Sequence, residues 1–141
     1  MKMKFQLLAM MFIAALAFSA CGDDDKNDGI TVPDAVSKAL KNKYPAATDI
    51  EWERKGDYFV ADCWMDGKEM DVWYDTQAVW RLTEVDILWG SLPPTVQTAF
   101  EGGEYANWKR EDIDMLEYPV QPAQYVIEVE KGNLEYQLFY A

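Results

Sequence analysis

The chain has 141 residues, with 25 Asp and Glu against 13 Lys and Arg and no histidine, for a formal net charge of −12. Without histidine the commonest general base and the commonest zinc ligand are gone, and a Ser-His-Asp triad or a Cys-His pair is excluded. The negative charge disfavours nucleic acid and anionic lipid, whose phosphates require Lys and Arg, and leaves neutral or basic partners.

Residues 1–20, MKMKFQLLAMMFIAALAFSA, place Lys2 and Lys4 before an apolar run from Leu7 to Phe18. The run is shorter than the roughly 20 residues that span a bilayer, which points to a targeting segment and not a membrane helix. Phe18-Ser19-Ala20-Cys21 resembles the lipobox of a bacterial lipoprotein signal peptide, with Phe18 where Leu is usual. That resemblance implies cleavage before Cys21, lipid on its thiol, and a chain held in the cell envelope, on the outer membrane, facing the periplasm or the surface. Contact with the membrane is then expected through the lipid anchor only.

Residues 21–30 begin with Cys21 and continue as an acidic, apolar-poor stretch, Gly22 to Gly29, expected to be a flexible tether. It fails as an EF-hand loop: with Gly29 at the sixth position, Lys26 falls where an oxygen ligand is needed. An acidic run after a lipidated cysteine also resembles the surface-export signal of Bacteroidetes lipoproteins, although a solvated spacer accounts for the same residues. The mature chain of 121 residues then holds 11 basic against 25 acidic residues, a net of −14. Cys63 is its remaining free cysteine, so no intramolecular disulfide is expected.

Residues 31–141 read as one small domain built from two units, about 31–88 and 91–141. Val32-Pro33-Asp34-Ala35-Val36-Ser37-Lys38-Ala39-Leu40 is echoed by Leu92-Pro93-Pro94-Thr95-Val96-Gln97-Thr98-Ala99-Phe100. Each begins with proline, whose missing N–H costs nothing at a helix start, and each sets apolar residues at helical spacing. Aromatic strands are expected next, over Asp49–Glu53 and Tyr105–Lys109. Hairpins follow. Phe59–Cys63 turns at Asp66-Gly67 into Met70–Tyr74, and Tyr125–Val129 turns at Gly132-Asn133 into Leu134–Leu138. Ala78–Val85 supplies a further strand to the first unit. The expected fold is α+β: two tandem helix-plus-strand units sharing one curved antiparallel sheet, with both helices on one face.

Period-two alternation sorts the hairpin residues. Phe59, Ala61, Cys63, Met65, Met70, Val72 and Tyr74 share one face, with Tyr125, Ile127, Val129, Leu134, Tyr136 and Leu138 as counterparts. Phe59, Val72, Tyr74, Ile127 and Tyr136 are expected beneath helices bearing Val36, Leu40, Val96 and Phe100. The other face carries Tyr58, Asp62, Trp64, Glu69, Asp71, Trp73 and Asp75, continued by Val126, Glu128, Glu130, Glu135, Gln137 and Phe139. Tryptophan and tyrosine anchor protein interfaces, and a carboxylate rim selects basic partners, so the first seven are the candidate partner-binding residues. Cross-strand packing of Trp64 and Trp73 on a solvated sheet would account for the same pattern.

Catalytic machinery is not in view. Ser37 and Ser91 lie outside any nucleophile-elbow context, and Gly102-Gly103 lacks the Lys-Ser/Thr of a phosphate loop. Carboxylate pairs abound, but a domain this small leaves little room for a deep sugar cleft. No catalytic residue, metal ligand or cofactor is expected.

The order of motifs resembles a known family. Ala35 to Leu40, Tyr44-Pro45-Ala46-Ala47, Ile50-Glu51-Trp52, Tyr58-Phe59-Val60, Asp66-Gly67-Lys68-Glu69, Val72-Trp73-Tyr74-Asp75 and Val79-Trp80 follow one another as in the PepSY-like, beta-lactamase-inhibitor-like domains of Bacteroidetes lipoproteins. In this chain Thr76-Gln77 stands where an Asp-Gly turn is usual, and Glu104-Tyr105 replaces Tyr-Pro in the second unit. The resemblance implies a curved sheet backed by helices and a non-enzymatic role in binding or inhibiting protein. A structural or accessory envelope role without an inhibitory target is the alternative, and a carbohydrate-binding module a more distant one.

Overall fold

The computed structural model describes residues 29–141. The signal segment, Cys21 and the tether through Asp28 lie outside them. Helix α1 (Asp34–Lys43) leads into β1 (Thr48–Lys55), β2 (Tyr58–Met65), β3 (Lys68–Asp75) and β4 (Trp80–Asp86). A 3-10 turn at Trp89–Ser91 precedes α2 (Pro94–Glu101), then β5 (Lys109–Glu117), β6 (Gln124–Lys131) and β7 (Leu134–Tyr140). The seven strands form one open antiparallel sheet in chain order, with β1 and β7 at its edges.

Local chemistry sets the helix ends. Pro33 and Pro93 sit at the N-caps, and their carbonyls accept the first helical N–H groups, Val36 and Ser37 in α1, Val96 and Gln97 in α2. Asp34 in the first turn of α1 and Lys41 and Lys43 in its last complement the helix dipole. At the β2–β3 turn, Asp66 and Gly67 both take positive φ, 54° and 73°, as a two-residue hairpin with right-handed twist requires.

Val36 and Leu40 of α1 and Val96 and Phe100 of α2 pack in one cluster with Phe59, Ala61, Cys63, Met70, Val72 and Tyr74. Val85, Ile113, Ile127 and Val129 carry the same core across the seam between β4 and β5. The parity expected for the first hairpin therefore holds, and both helices lie on its apolar face.

Two expectations fail. Tyr105–Lys109 does not form a strand: Tyr105 to Trp108 lie in turns, with Ala106 N–H donating to Gly103 and Trp108 N–H to Tyr105, and β5 starts only at Lys109. The alternation of β5 is masked by a register shift between Arg110 and Ile113. Leu134 and Tyr136 are not core residues, being 52% and 43% exposed. They belong to an edge strand, where Tyr136 is met by the rings of Tyr105 (5.6 Å) and Trp108 (5.4 Å) instead of by a helix.

The family-like motif has a structural use. The Tyr44 hydroxyl shares a 2.8 Å hydrogen bond with Thr83 Oγ1, which also accepts from Trp80 Nε1 at 2.8 Å. Lys43 Nζ lies 3.5 Å from the Trp80 ring centre. This clasp ties the end of α1 to β4 and satisfies the fully buried Thr83. The Thr76-Gln77 turn is closed by Asp75, whose Oδ1 accepts from the backbone N–H of Gln77 (2.9 Å) and Val79 (3.0 Å), while Ala78 takes a φ of 62°.

Candidate functional site

The seven candidate residues stand on one face of the β2–β3 hairpin, where an unbroken register pairs Tyr58 with Asp75, Val60 with Trp73, Asp62 with Asp71 and Trp64 with Glu69. No helix among the described residues covers this face. Trp73 pairs with Leu82 on β4, and Glu84 pairs with Asp71 on β3 and Leu116 on β5, so the face runs on across the seam.

The two tryptophans are not one centre. They stand four residues apart along the hairpin, about 13 Å at ~3.3 Å per residue, so they do not pack on each other. Trp64, at the far end, is 43% exposed. Trp73 is half-buried, meets the Tyr58 ring edge-on at 5.9 Å, and has Lys55 Nζ 5.2 Å from its ring centre.

Trp73 also joins a second apolar cluster, in which it and Tyr118 flank the buried Leu82, Leu116 and Val126. Sequence reading placed Val126 on this face and overlooked Leu82, Leu116 and Tyr118. Alternation within Leu82, Glu84 and Asp86 was the available signal for β4. For Leu116 and Tyr118 there was little, because β5 lay hidden behind its irregular start.

The acids divide by what they touch. Asp75 Oδ2 accepts from Arg81 Nε (2.9 Å) and Nη2 (2.7 Å), and its carboxyl is held below the usual range, first by the Val79 N–H and then by Arg81 and the Gln77 N–H. Asp75 is thus a brace of the β3–β4 turn. Asp71 is buried, while Asp62 and Glu69 are half-buried.

Glu84, which sequence reading did not single out, has the most altered carboxyl. Burial pushes it up to about 8, with Asp71 and Asp114 adding to the rise and Lys55 opposing it. Trp73 Nε1 is buried with no acceptor in good hydrogen-bond geometry, and its pull on the Glu84 carboxylate is the weakest influence there. Glu128 is also raised, chiefly by burial and then by Glu135.

Among the described residues no three His, Cys, Asp or Glu side chains are grouped to hold a metal ion. Cys63 is buried on the helix side, and burial, with Asp62 and Asp71 behind it, pushes its thiol up to about 11, which suppresses the reactive thiolate. No helix of the described residues is long and apolar enough to cross a membrane.

Residues 57–141 match a family described as "Putative beta-lactamase-inhibitor-like, PepSY-like". Among solved structures, the chain is similar to a BLIP-like protein from Bacteroides fragilis, at 45% identity over 75% of this chain and 76% of that one, with a TM-score of 0.70. A DUF2874 family protein from Bacteroides ovatus is 36% identical over 79% and 82% of the two chains, with a TM-score of 0.75. A protein described as "putative periplasmic proteins" from Bacteroides eggerthii is 31% identical over 77% and 80% of the two chains, with a TM-score of 0.74. No curated protein matches the chain.

Proposed function

Because this chain belongs to the PepSY-like, beta-lactamase-inhibitor-like family, we propose that it works by binding a protein partner on the open face of its sheet, without chemistry of its own. One observation carries the reading. The face turned away from both helices holds an apolar cluster of its own, with the rings of Trp73 and Tyr118 at its border and exposed Trp64 and Phe139 beyond. Solubility alone gives no reason for aromatic rings there, whereas interfaces enrich them over an apolar centre with a polar rim.

Asp62 and Glu69 supply part of that rim, with the buried Asp71 beside them, so the partner is neutral or basic, and the charge of the chain favours its approach. Tyr58 meets Trp73 edge-on and widens the aromatic border of that centre. Asp75 contributes through the turn it braces. The lipobox-like Ser19-Ala20-Cys21 and the periplasmic description of one relative support an envelope location, with lipid on Cys21 as the anchor. Inhibition of a secreted enzyme is the form of binding to test first, because one relative is described as BLIP-like.

The test is capture from native envelope extract, then affinity measurement for Trp64→Ala and Phe139→Ala beside a helix-face control, Lys41→Ala. Interface anchors typically lose 2 kcal/mol or more, about thirtyfold, on truncation. Parental affinity in both aromatic variants rejects the face. Separately, Cys21→Ala should leave the membrane fraction, and continued firm attachment would remove the anchor.

A further inference from the structure

The ladder between β4 and β5 is the shortest in the sheet, pairing Thr83–Asp86 with Asp114–Glu117. It is also where the first helix-and-strand unit meets the second. On the open face this joint is lined with carboxylates: Asp71 lies directly opposite Glu84, and Asp86 directly opposite Asp114. Directly opposed residues on antiparallel strands hold their Cβ atoms about 4.5–5.5 Å apart, with diagonal neighbours within roughly 7–8 Å. Glu84 therefore has one acid across from it on β3 and another diagonal to it on β5. Leu82 precedes it on the same face, Leu116 pairs with it, and Trp73 packs against the cluster to which both leucines belong.

Charges facing Glu84 come from every strand around it. Asp71 and, diagonally, Glu69 on β3, Asp114 on β5 and Asp86 on its own strand are acidic, and Tyr118 feels its charge from beyond the end of β5. Lys55 on β1 is the opposing cation, but its Nζ is divided between Glu53, 3.5 Å away, and the Trp73 ring. Burial and the nearby acids together oppose ionisation of Glu84.

We infer that Glu84 is a proton-operated joint between the two units: with its carboxyl neutral, β4 and β5 close firmly, and with it ionised the seam loosens. The inference does not depend on the open face having a partner. Its direction follows from linkage. Glu84 holds its proton more tightly folded than unfolded, up to about 8 against the ordinary 4.5. The stabilisation is fully present below the unfolded value and is lost as pH rises through about 8, beyond which no further loss comes from this group.

Two measurements on the full chain decide it. Carboxyl carbon NMR should find Glu84 titrating near pH 8, and Asp71→Asn should move that midpoint downward. Amide hydrogen exchange, corrected for intrinsic rates, should show protection of Thr83–Asp86 and Asp114–Glu117 falling roughly tenfold or more between pH 6 and pH 8 relative to Glu84→Gln, which keeps the neutral form. A midpoint in the ordinary carboxylate range overturns the inference, and this reading needs no variant to fold. A raised midpoint with parallel exchange profiles in parent and Glu84→Gln also overturns it, because the proton would then be silent at the seam.

Discussion

The hairpins β2–β3 and β6–β7 share a pattern and differ in fate. In both, apolar residues alternate with polar ones around a two-residue turn, and in both the apolar set was assigned to the core. In β2–β3 that assignment largely holds, from Phe59 and Cys63 through Met70, Val72 and Tyr74. In β6–β7 it holds for Ile127 and Val129, and in part for Tyr125 and Leu138, which pack against the core, but fails at Leu134 and Tyr136, which are exposed. The difference is position. β3 has strands on both sides, whereas β7 has β6 on one side and no further strand among the described residues on the other. Alternation reports which face a residue takes, and neighbours decide whether that face is covered.

The comparison breaks first at its largest effect. Phe59→Ala should cost about 3–5 kcal/mol in denaturant unfolding, because a buried ring leaves both lost contacts and a cavity. Tyr136→Ala should cost on the order of 1 kcal/mol, the scale of ring contacts to Tyr105 and Trp108 on a half-open edge. Equal losses would mean that the edge is packed as tightly as the centre.

Next comes Tyr74→Phe. The Tyr74 hydroxyl is buried without a hydrogen-bond partner, and burial pushes its ionisation up to about 12. Removing it should leave stability equal or higher, by up to about 1 kcal/mol, because no bond is lost with it. A clear loss would reveal a partner for that hydroxyl. Smaller still is Trp64→Ala, expected within about 0.5 kcal/mol of the parent in unfolding experiments, as for an exposed side chain outside the apolar clusters. A large loss would place Trp64 in the structure and remove it from the proposed interface. The last contrast is chemical. Cys63 should resist a thiol reagent in the native protein at pH 8 and react at once on unfolding, and fast native labelling would contradict its burial.

The candidate site was legible in its parity and not in its centre. Tyr58, Asp62, Trp64, Glu69, Asp71, Trp73 and Asp75 do share a face, because strand periodicity survives any tertiary arrangement. Their grouping does not survive intact. Asp75 turns back to its own loop, Trp64 stands alone at one end, and Trp73 is drawn toward Leu82 and Leu116 from strands later in the chain. None of these fates is written in the hairpin. Each depends on what stands beside it, and the partner segments are separated from it by a turn or by a whole helix.

By itself the sequence determined the two helices, the two hairpins with their tight turns, the face of the first hairpin that meets the helices and the absence of histidine-based catalysis. These follow from local backbone preference, period-two and helical spacing, and composition, all of which act within a few residues. Only the tertiary structure decided that Tyr105 and Trp108 leave the sheet, that β7 is an edge, and that Glu84 lies between Asp71 and Asp114. Those outcomes rest on register between strands. One irregular step, such as the shift between Arg110 and Ile113, changes the partners of every residue after it, and burial and charge change with them.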